Sequence, residues 1–293
     1  MSPGVMLFRP ILCQQACGMA TLKDVAIRLK SVKNIQKITS SMKMVSASKF
    51  ARAERELRPS RPYGKGAKVF YESTDLATVD TQPKPNTLLV AITSDRGLCG
   101  GANSSVVKTI RNLVQTNSDY EKTTKLVLVG DKSRAMMIRQ FRNMFLLSFS
   151  DVGKKAPTFE DAALIADSLL KSEYNFDKAV MYFNTFKTVV SYITTPQNLY
   201  STREVATSSK LSLYDSVDDD LLQSYNEYLL TSLIYFALKE SAASEQSARM
   251  TAMGAATKNA GEMIDRLTLM FNRTRQAAIT RELTEIISGA AAV

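Results

Sequence analysis

The spacing of apolar and polar positions changes period twice along this chain, and its longest run of one period lies in the carboxy-terminal third. From Leu221 to Ile287 there is no proline, and only Gly254 and Gly261 interrupt sixty-seven residues. That reads as one helix of roughly 100 Å at ~1.5 Å rise per residue. Every seventh position from Leu222 (Leu229, Phe236, Ala243, Met250, Thr257, Ile264, Phe271, Ala278) is apolar or small at all steps but one. A seven-residue repeat held that long predicts supercoiling against a partner helix. Three positions further on, Tyr225, Met253 and Leu267 are apolar, whereas Ser232, Lys239, Gln246 and Thr274 are not. The partner is therefore expected to differ along the length.

Thr21 to Leu57 lacks glycine and proline and carries a second helical pattern. Leu22, Val25, Leu29 and Val32 are spaced 3-4-3. Ile35, Ile38, Met42 and Val45 repeat that spacing after a step of three where four was due, which predicts a local register break. Pro59 and Pro62 are expected to end this helix, and residues 63–85, with Gly64, Gly66, Pro83 and Pro85, read as a connection. The first helix (20–62) and the last (209–293) should pair. Residues 20–58 hold ten bases and three acids, residues 210–293 eight bases and eleven acids, so the two carry opposite charge bias along matching seams.

Between them the period changes. Thr87–Thr93, Lys125–Gly130, Phe145–Phe149, Ala179–Phe186 and Val189–Thr195 read as strands, the last two as a hairpin. Ala102–Gln115, Lys132–Arg142 and Phe159–Lys171 read as helices. Alternation of this kind predicts an open, doubly wound (Rossmann-like) α/β domain over residues 86–208, inserted between the halves of a coiled coil.

Composition narrows the chemistry. The 293 residues carry a net charge of +10 and no histidine, which removes the commonest general base and metal ligand. Three cysteines, Cys13, Cys17 and Cys99, supply neither a disulfide framework nor a four-ligand zinc site. No phosphate-cradling GxxxxGK[ST] loop is present, and no apolar run reaches the ~18 residues that span a bilayer. Residues 1–19 contain Arg9, no acid and scattered apolar residues. They resemble a short mitochondrial transit peptide, the other reading being a retained amino terminus.

Four stretches invite a functional reading. Thr93 to Asn103 follows a strand and precedes a helix, where an α/β domain would bind phosphate, but Gly97, Gly100 and Gly101 do not form GxGxxG, so a tight structural turn fits better. Cys99 within it reads as a packed small hydrophobe in preference to a redox centre. The bases of the first helix interleave with Phe50 alone, a weak pattern for nucleic acid. Asp218, Asp219 and Asp220 suit a first helical turn better than a metal site. Finally, Arg273, Arg275 and Gln276 cluster on the last helix as directional donors for carboxylates, unless residues such as Arg281 and Glu285 merely pair within the helix.

That last stretch carries a resemblance. Ile279, Thr280, Glu282, Glu285, Gly289 and Ala290 reproduce the carboxy-terminal signature of the gamma subunits of F-type ATP synthases. Leu29 to Thr39 with Met42–Met44, Ser94 to Gly100, and Ser244 to Met250 resemble the same family in the same order. The likeness spans Ala20 to Ala292 and is nearest to mitochondrial members, with Gly254–Ala255 departing from the usual charged or polar pair.

The resemblance implies an antiparallel coiled coil turning inside a hexamer of alpha and beta subunits. Its α/β foot would lie on the c-ring and the delta and epsilon subunits, at the matrix side of the inner membrane. It implies no catalysis, cofactor or nucleic acid, and membrane contact only through the c-ring. Arg273, Arg275, Gln276 and Met42 would contact the beta subunits. The readings set against it are a basic nucleic-acid-binding coiled coil and a small α/β enzyme with a phosphate ligand at 94–101.

Overall fold

The computed structural model describes residues 21–74, 86–116, 123–152, 155–172, 174, 176–206, 208, 210, 211, 214 and 218–291. The expected leader (1–19) and residues 75–85 of the expected connection lie outside them. The elements are α1 (Leu22–Ser73), β1 (Thr87–Ile92), α2 (Ala102–Thr116), β2 (Thr124–Val129), α3 (Asp131–Phe141) and β3 (Phe145–Phe149). There follow α4 (Phe159–Leu170), β4 (Lys178–Thr188), β5 (Ser191–Tyr200), α5 (Thr202–Ala206) and α6 (Asp219–Ala291). Contacts divide the chain into two compact units, residues 1–37 with 258–293, and residues 38–257.

In the first unit α1 and α6 form a two-helix seam. Val25, Val32, Ala260 and Leu267 are buried, with Leu29, Ile264 and Phe271 packed on them. In the second unit the pairing direction is explicit. Thr39 meets Thr257 through their hydroxyls at 2.9 Å, Lys43 packs on Gly254, Glu56 bonds Lys239 and Gly64 faces Phe236. Numbers rise along one helix as they fall along the other, so the coiled coil is antiparallel.

Two expectations for α1 are corrected. The helix does not end at Pro59 and Pro62; both lie inside it, and it continues to Ser73. Both prolines are exposed, as are Arg55 and Arg58, whose carbonyls lose their intrahelical donors, so water can serve those carbonyls. On the opposite side Leu57, Ser60, Gly64, Ala67, Tyr71 and Thr74 are buried at strict 3-4 spacing, and that packing offsets the proline cost of about 3 kcal/mol. Residues 63–73 are thus helix, not connection. Gly64 serves a close approach: a Cβ there would lie 2.6 Å from the ring of Phe236.

There is also no register break. The buried or half-buried positions run Val25, Leu29, Val32, Gln36 in one unit and Thr39, Ser46, Phe50, Ala53, Leu57 in the other, in the original phase. Ile35, Ile38 and Val45, expected in the seam, are more than half exposed. The polar residues win because α6 offers small partners there: Gln36 abuts Gly261, Thr39 bonds Thr257, and Lys43 lies along Gly254.

The sheet runs β3-β2-β1-β4-β5, parallel except for β5, which pairs antiparallel with β4 around a turn at Val189 and Val190. Side chains alternate between two cores, as the two-residue period of a strand requires. Leu89, Ala91, Leu126 and Leu128 pack on α2 and α3. Leu88, Val90, Ile92, Val127 and Val129 pack on α4 and on α6 residues such as Leu233, Ile234 and Ala237. The sheet is therefore covered on both faces, and the terminal helices themselves supply part of one layer. That is why Ser232, Lys239 and Glu240 of α6, polar as they are, are buried.

Charge burial at this layer is paired. Glu240 accepts from Arg61 Nε at 3.0 Å and from the backbone N–H of Phe186 at 2.8 Å, joining α1, α6 and β4. Lys239 Nζ donates to Glu56 at 2.8 Å. That hydrogen bond first, and Arg52 second, hold the Glu56 carboxyl below the usual carboxylate range.

Candidate functional site

The loop after β1, expected to be a tight structural turn, is held by hydrogen bonds within the chain. Ser94 N donates to Asn103 Oδ1 at 3.1 Å, Asp131 N to Asp95 Oδ1 at 2.9 Å, and Ser133 N to Thr93 Oγ1 at 3.2 Å. At the start of α2, the helix this loop precedes, Ala102 N donates to the Cys99 carbonyl at 3.3 Å, while Asp95 and Thr93 of the loop cap the first turn of the neighbouring α3. Gly130 makes this closure feasible: its φ is +103°, and a Cβ would fall 2.5 Å from the carbonyl oxygen of Thr93. Cys99 is buried and receives a hydrogen bond from Asn103 Nδ2 at 3.2 Å. Burial, then the nearby Glu245 charge, push its thiol up, away from a reactive thiolate. The loop is a structural turn. Asp219 and Asp220 stand exposed in the first turn of α6, where acids favour the helix dipole.

The end of α6 in the first unit has a different character. Its seam holds through Phe271, Thr274 and Ala278, and every described residue after Ala278 is exposed. Arg273, Arg275 and Gln276 lie together there, all exposed. Among the described residues neither Arg273 nor Arg275 has an acidic partner, and Arg281 and Glu285 do not pair with each other. The within-helix alternative is therefore not realised. Thr280 and Thr284 turn their hydroxyls back to the carbonyls of Gln276 and Thr280, leaving the charged groups as the outward polar atoms.

Beside them runs a feature that seventh-residue counting missed. Ile279, Leu283, Ile286 and Ile287 are between 49% and 68% exposed, an apolar stripe without cover among the described residues. Its signal was present, since the seam would next reach Arg281 and Glu285 while apolar residues recur at 279, 283 and 286. The stripe has simply moved one position around the helix.

Met42 belongs to the second unit. It is half-buried, lining a groove of about 490 Å³ with Val45, Arg96, Leu98 and Arg249. Its neighbour Lys43 packs on Gly254. Within the first unit the structure brings Arg273, Arg275 and Gln276 together, and within the second it sets Met42 beside the loop after β1.

In the second unit, antiparallel terminal helices cover one face of a five-stranded α/β sheet, and no catalytic constellation is found among the described residues. The model of the ATP synthase family matches residues 21–293. The mitochondrial ATP synthase gamma subunit of Drosophila melanogaster is 54% identical over 283 residues, covering 97% of this chain and 94% of that protein. The mitochondrial F(1) complex gamma subunit of Rattus norvegicus is 52% identical over 274 residues, covering 94% and 100%.

Among solved structures, a chain of the Tetrahymena thermophila mitochondrial ATP synthase central stalk and c-ring aligns with TM-score 0.64. It has 29% identity and covers 75% of this chain and 99% of that one. A chain of the Euglena gracilis mitochondrial enzyme aligns with TM-score 0.78 over 92% and 94%; at 20% identity it speaks for the fold. The chain belongs to the gamma-subunit family of mitochondrial ATP synthases. It is a non-catalytic, central-stalk subunit, and the reading as a nucleic-acid-binding coiled coil is set aside.

Proposed function

We propose that the exposed end of α6 is the surface through which this rotor subunit biases the catalytic beta subunits, with Arg273, Arg275 and Gln276 as its polar contacts. The observation that carries the reading is the pair of guanidinium groups without an acidic partner among the described residues, beside an apolar stripe that none of those residues covers, on a helix end whose own seam has stopped. A guanidinium that meets the carboxylates of one beta subunit at a time gives that subunit a differential interaction free energy. Without such a difference no population can shift. Ile279, Leu283 and Ile286 would bear on an apolar sleeve formed by the alpha–beta hexamer, and Gly289 and Ala290 keep the tip slim.

In this reading rotation of the c-ring turns the sheet domain, and the helices carry the turn to the hexamer. Delta and epsilon subunits share the foot, at the matrix face of the mitochondrial inner membrane. Met42, with Arg96 and Leu98 in its groove, would form a further beta contact.

The test is Arg275→Ala in reconstituted synthase. Complexes should assemble in normal amount while proton-driven ATP synthesis and rotation against load fall several-fold. Unchanged synthesis and torque would overturn the assignment.

A further inference from the structure

In the second unit, strand β4 outruns its parallel neighbour. Its pairing with β1 ends at Ala91 with Tyr182, whereas its pairing with β5 continues to Thr188. Beyond Tyr182 one edge of β4 therefore carries backbone groups that no described strand partners, and such groups need other bonds once buried. Side chains of the terminal helices supply them. Ser244 Oγ donates to the carbonyl of Asn184 at 2.9 Å, Glu240 accepts from the N–H of Phe186 at 2.8 Å, and Arg61 Nη2 of α1 donates to the carbonyl of Phe186 at 3.4 Å. At the hairpin turn, Ser247 Oγ donates to the carbonyl of Val189, and Thr251 Oγ1 donates to the same oxygen at 3.4 Å.

Positions 240, 244, 247 and 251 are spaced 4-3-4, so these side chains form one stripe along α6. Glu240, Ser244 and Ser247 are 1%, 0% and 3% exposed, which makes this a buried polar stripe in a layer otherwise packed by apolar residues. It continues the sheet by bonding a helix face to a strand edge. Because Arg61 Nε also donates to Glu240 at 3.0 Å, α1, α6 and the backbone of Phe186 close a ring of hydrogen bonds. The physical contrast is with Leu233, Ile234 and Ala237, which pack the same helix on the sheet through apolar contact. Apolar burial resists separation but is non-directional, so alone it fixes no angle. Hydrogen bonds weaken steeply as donor and acceptor leave their line, so the bonded stripe opposes rotation of the sheet domain about the helix.

We infer that Glu240, Ser244, Ser247 and Thr251, with Arg61, are the positioning residues through which torque passes from the sheet domain into α6. The inference rests on the reading that this domain turns with the c-ring, and it names the bonds at which the turn enters the helix. These residues act away from the chemistry, by holding α6 at a fixed angle to β4 while the domain is loaded.

The test uses reconstituted synthase held on a surface through the hexamer, with a gold nanorod on the c-ring. In Ser244→Ala/Ser247→Ala/Thr251→Val the angular variance of the rod at each catalytic pause should rise several-fold. ATP synthesis against load should fall several-fold more than unloaded ATP hydrolysis does. Glu240→Gln, which gives up the ion pair with Arg61, should move both readouts in the same direction, and Ser247→Thr, which keeps the hydroxyl, should match the parent. Should the triple variant fail to fold, Ser247→Ala/Thr251→Val, confined to the hairpin turn, keeps the measurement available. A lower melting temperature with parent-like variance and synthesis, measured well below that temperature, is what merely structural bonds would give and would overturn the inference. So would a larger variance without loss of synthesis. Arg275→Ala leaves every bond of the stripe in place. Normal synthesis in that variant would remove the beta-contact assignment alone, and parent-like variance in the stripe variants would remove the stripe alone.

Discussion

Two glycines one turn-half apart on α1 provide a direct test of how this helix is packed. Gly64 and Gly66 have the same backbone and the same intrinsic cost, about 1 kcal/mol relative to alanine in a helix. Around them the structure differs. A Cβ at position 66 meets nothing within 4 Å, so Gly66→Ala should stabilise the isolated chain by about 1 kcal/mol, raising its melting temperature by roughly 2–4 °C. At position 64 the Cβ would stand 2.6, 2.6 and 2.8 Å from three ring carbons of Phe236, against an ordinary separation of about 3.5–4.0 Å. That ring cannot simply retreat, because it is buried and packs edge-on against Phe183 with centroids 5.7 Å apart. Overpacking of this kind costs about 1–3 kcal/mol, which cancels or outweighs the gain in helix propensity.

The two variants should therefore differ by about 1–3 kcal/mol, with Gly64→Ala neutral to destabilising. Thermal and urea unfolding of the purified chain measure this. Equal shifts for both would refute the close approach of Phe236. A further check is Gly64→Ala combined with Phe236→Leu. If the ring is the obstacle, the second change should relieve the first and give a favourable coupling energy in a double-mutant cycle.

Gly254→Ala should be tolerated and stabilising by about 1 kcal/mol, since the new methyl would meet only the flexible Lys43 chain at 3.6–3.8 Å; calorimetry showing a lower melting temperature would contradict this. Glu56 has a folded pKa below its unfolded value, so its contribution to stability is present above the unfolded carboxylate pKa of about 4.3 and is lost as pH falls through the folded value. Urea midpoints should accordingly fall on acidification below about pH 5, and Glu56→Gln should flatten that limb. Cys99, 2% exposed with its thiol pushed up by burial, should react with iodoacetamide at neutral pH only as fast as the surrounding structure opens; rapid alkylation of the native chain would show the loop to be open.

The paired long helices, the five strands in their order and the inserted domain were legible because each has a strong period. Sixty-seven residues of helix were expected where seventy-three are found, and the strand boundaries differ by a few residues. The polar cluster of Arg273, Arg275 and Gln276 was legible as an excess of directional donors. Its apolar companion, Ile279 with Leu283 and Ile286, escaped because the count stayed in the phase of the seam after the seam had ended. Met42 was assigned a beta-subunit contact by resemblance alone, and its place beside Leu98 depends on how α1 packs against the sheet domain, which no local pattern encodes.

What the sequence determined by itself is whatever depends on near neighbours: helix where the spacing is 3-4, strand where apolar runs are short and bounded, and a rotor family's signature residues in order. What only the tertiary structure decided is which face of each element is inside. Along α1 two stripes compete, one of Ile35, Ile38 and Val45, the other of Gln36, Thr39 and Ser46, and hydrophobicity alone favours the first. The second is buried because α6 presents Gly254, Thr257 and Gly261 opposite it, residues small enough to admit polar side chains and, at Thr39, to bond one. The same logic kept α1 helical through Pro59 and Pro62. Local propensity opposes those two residues by several kcal/mol, but they lie on the exposed side of a helix whose other side is fixed against the sheet domain.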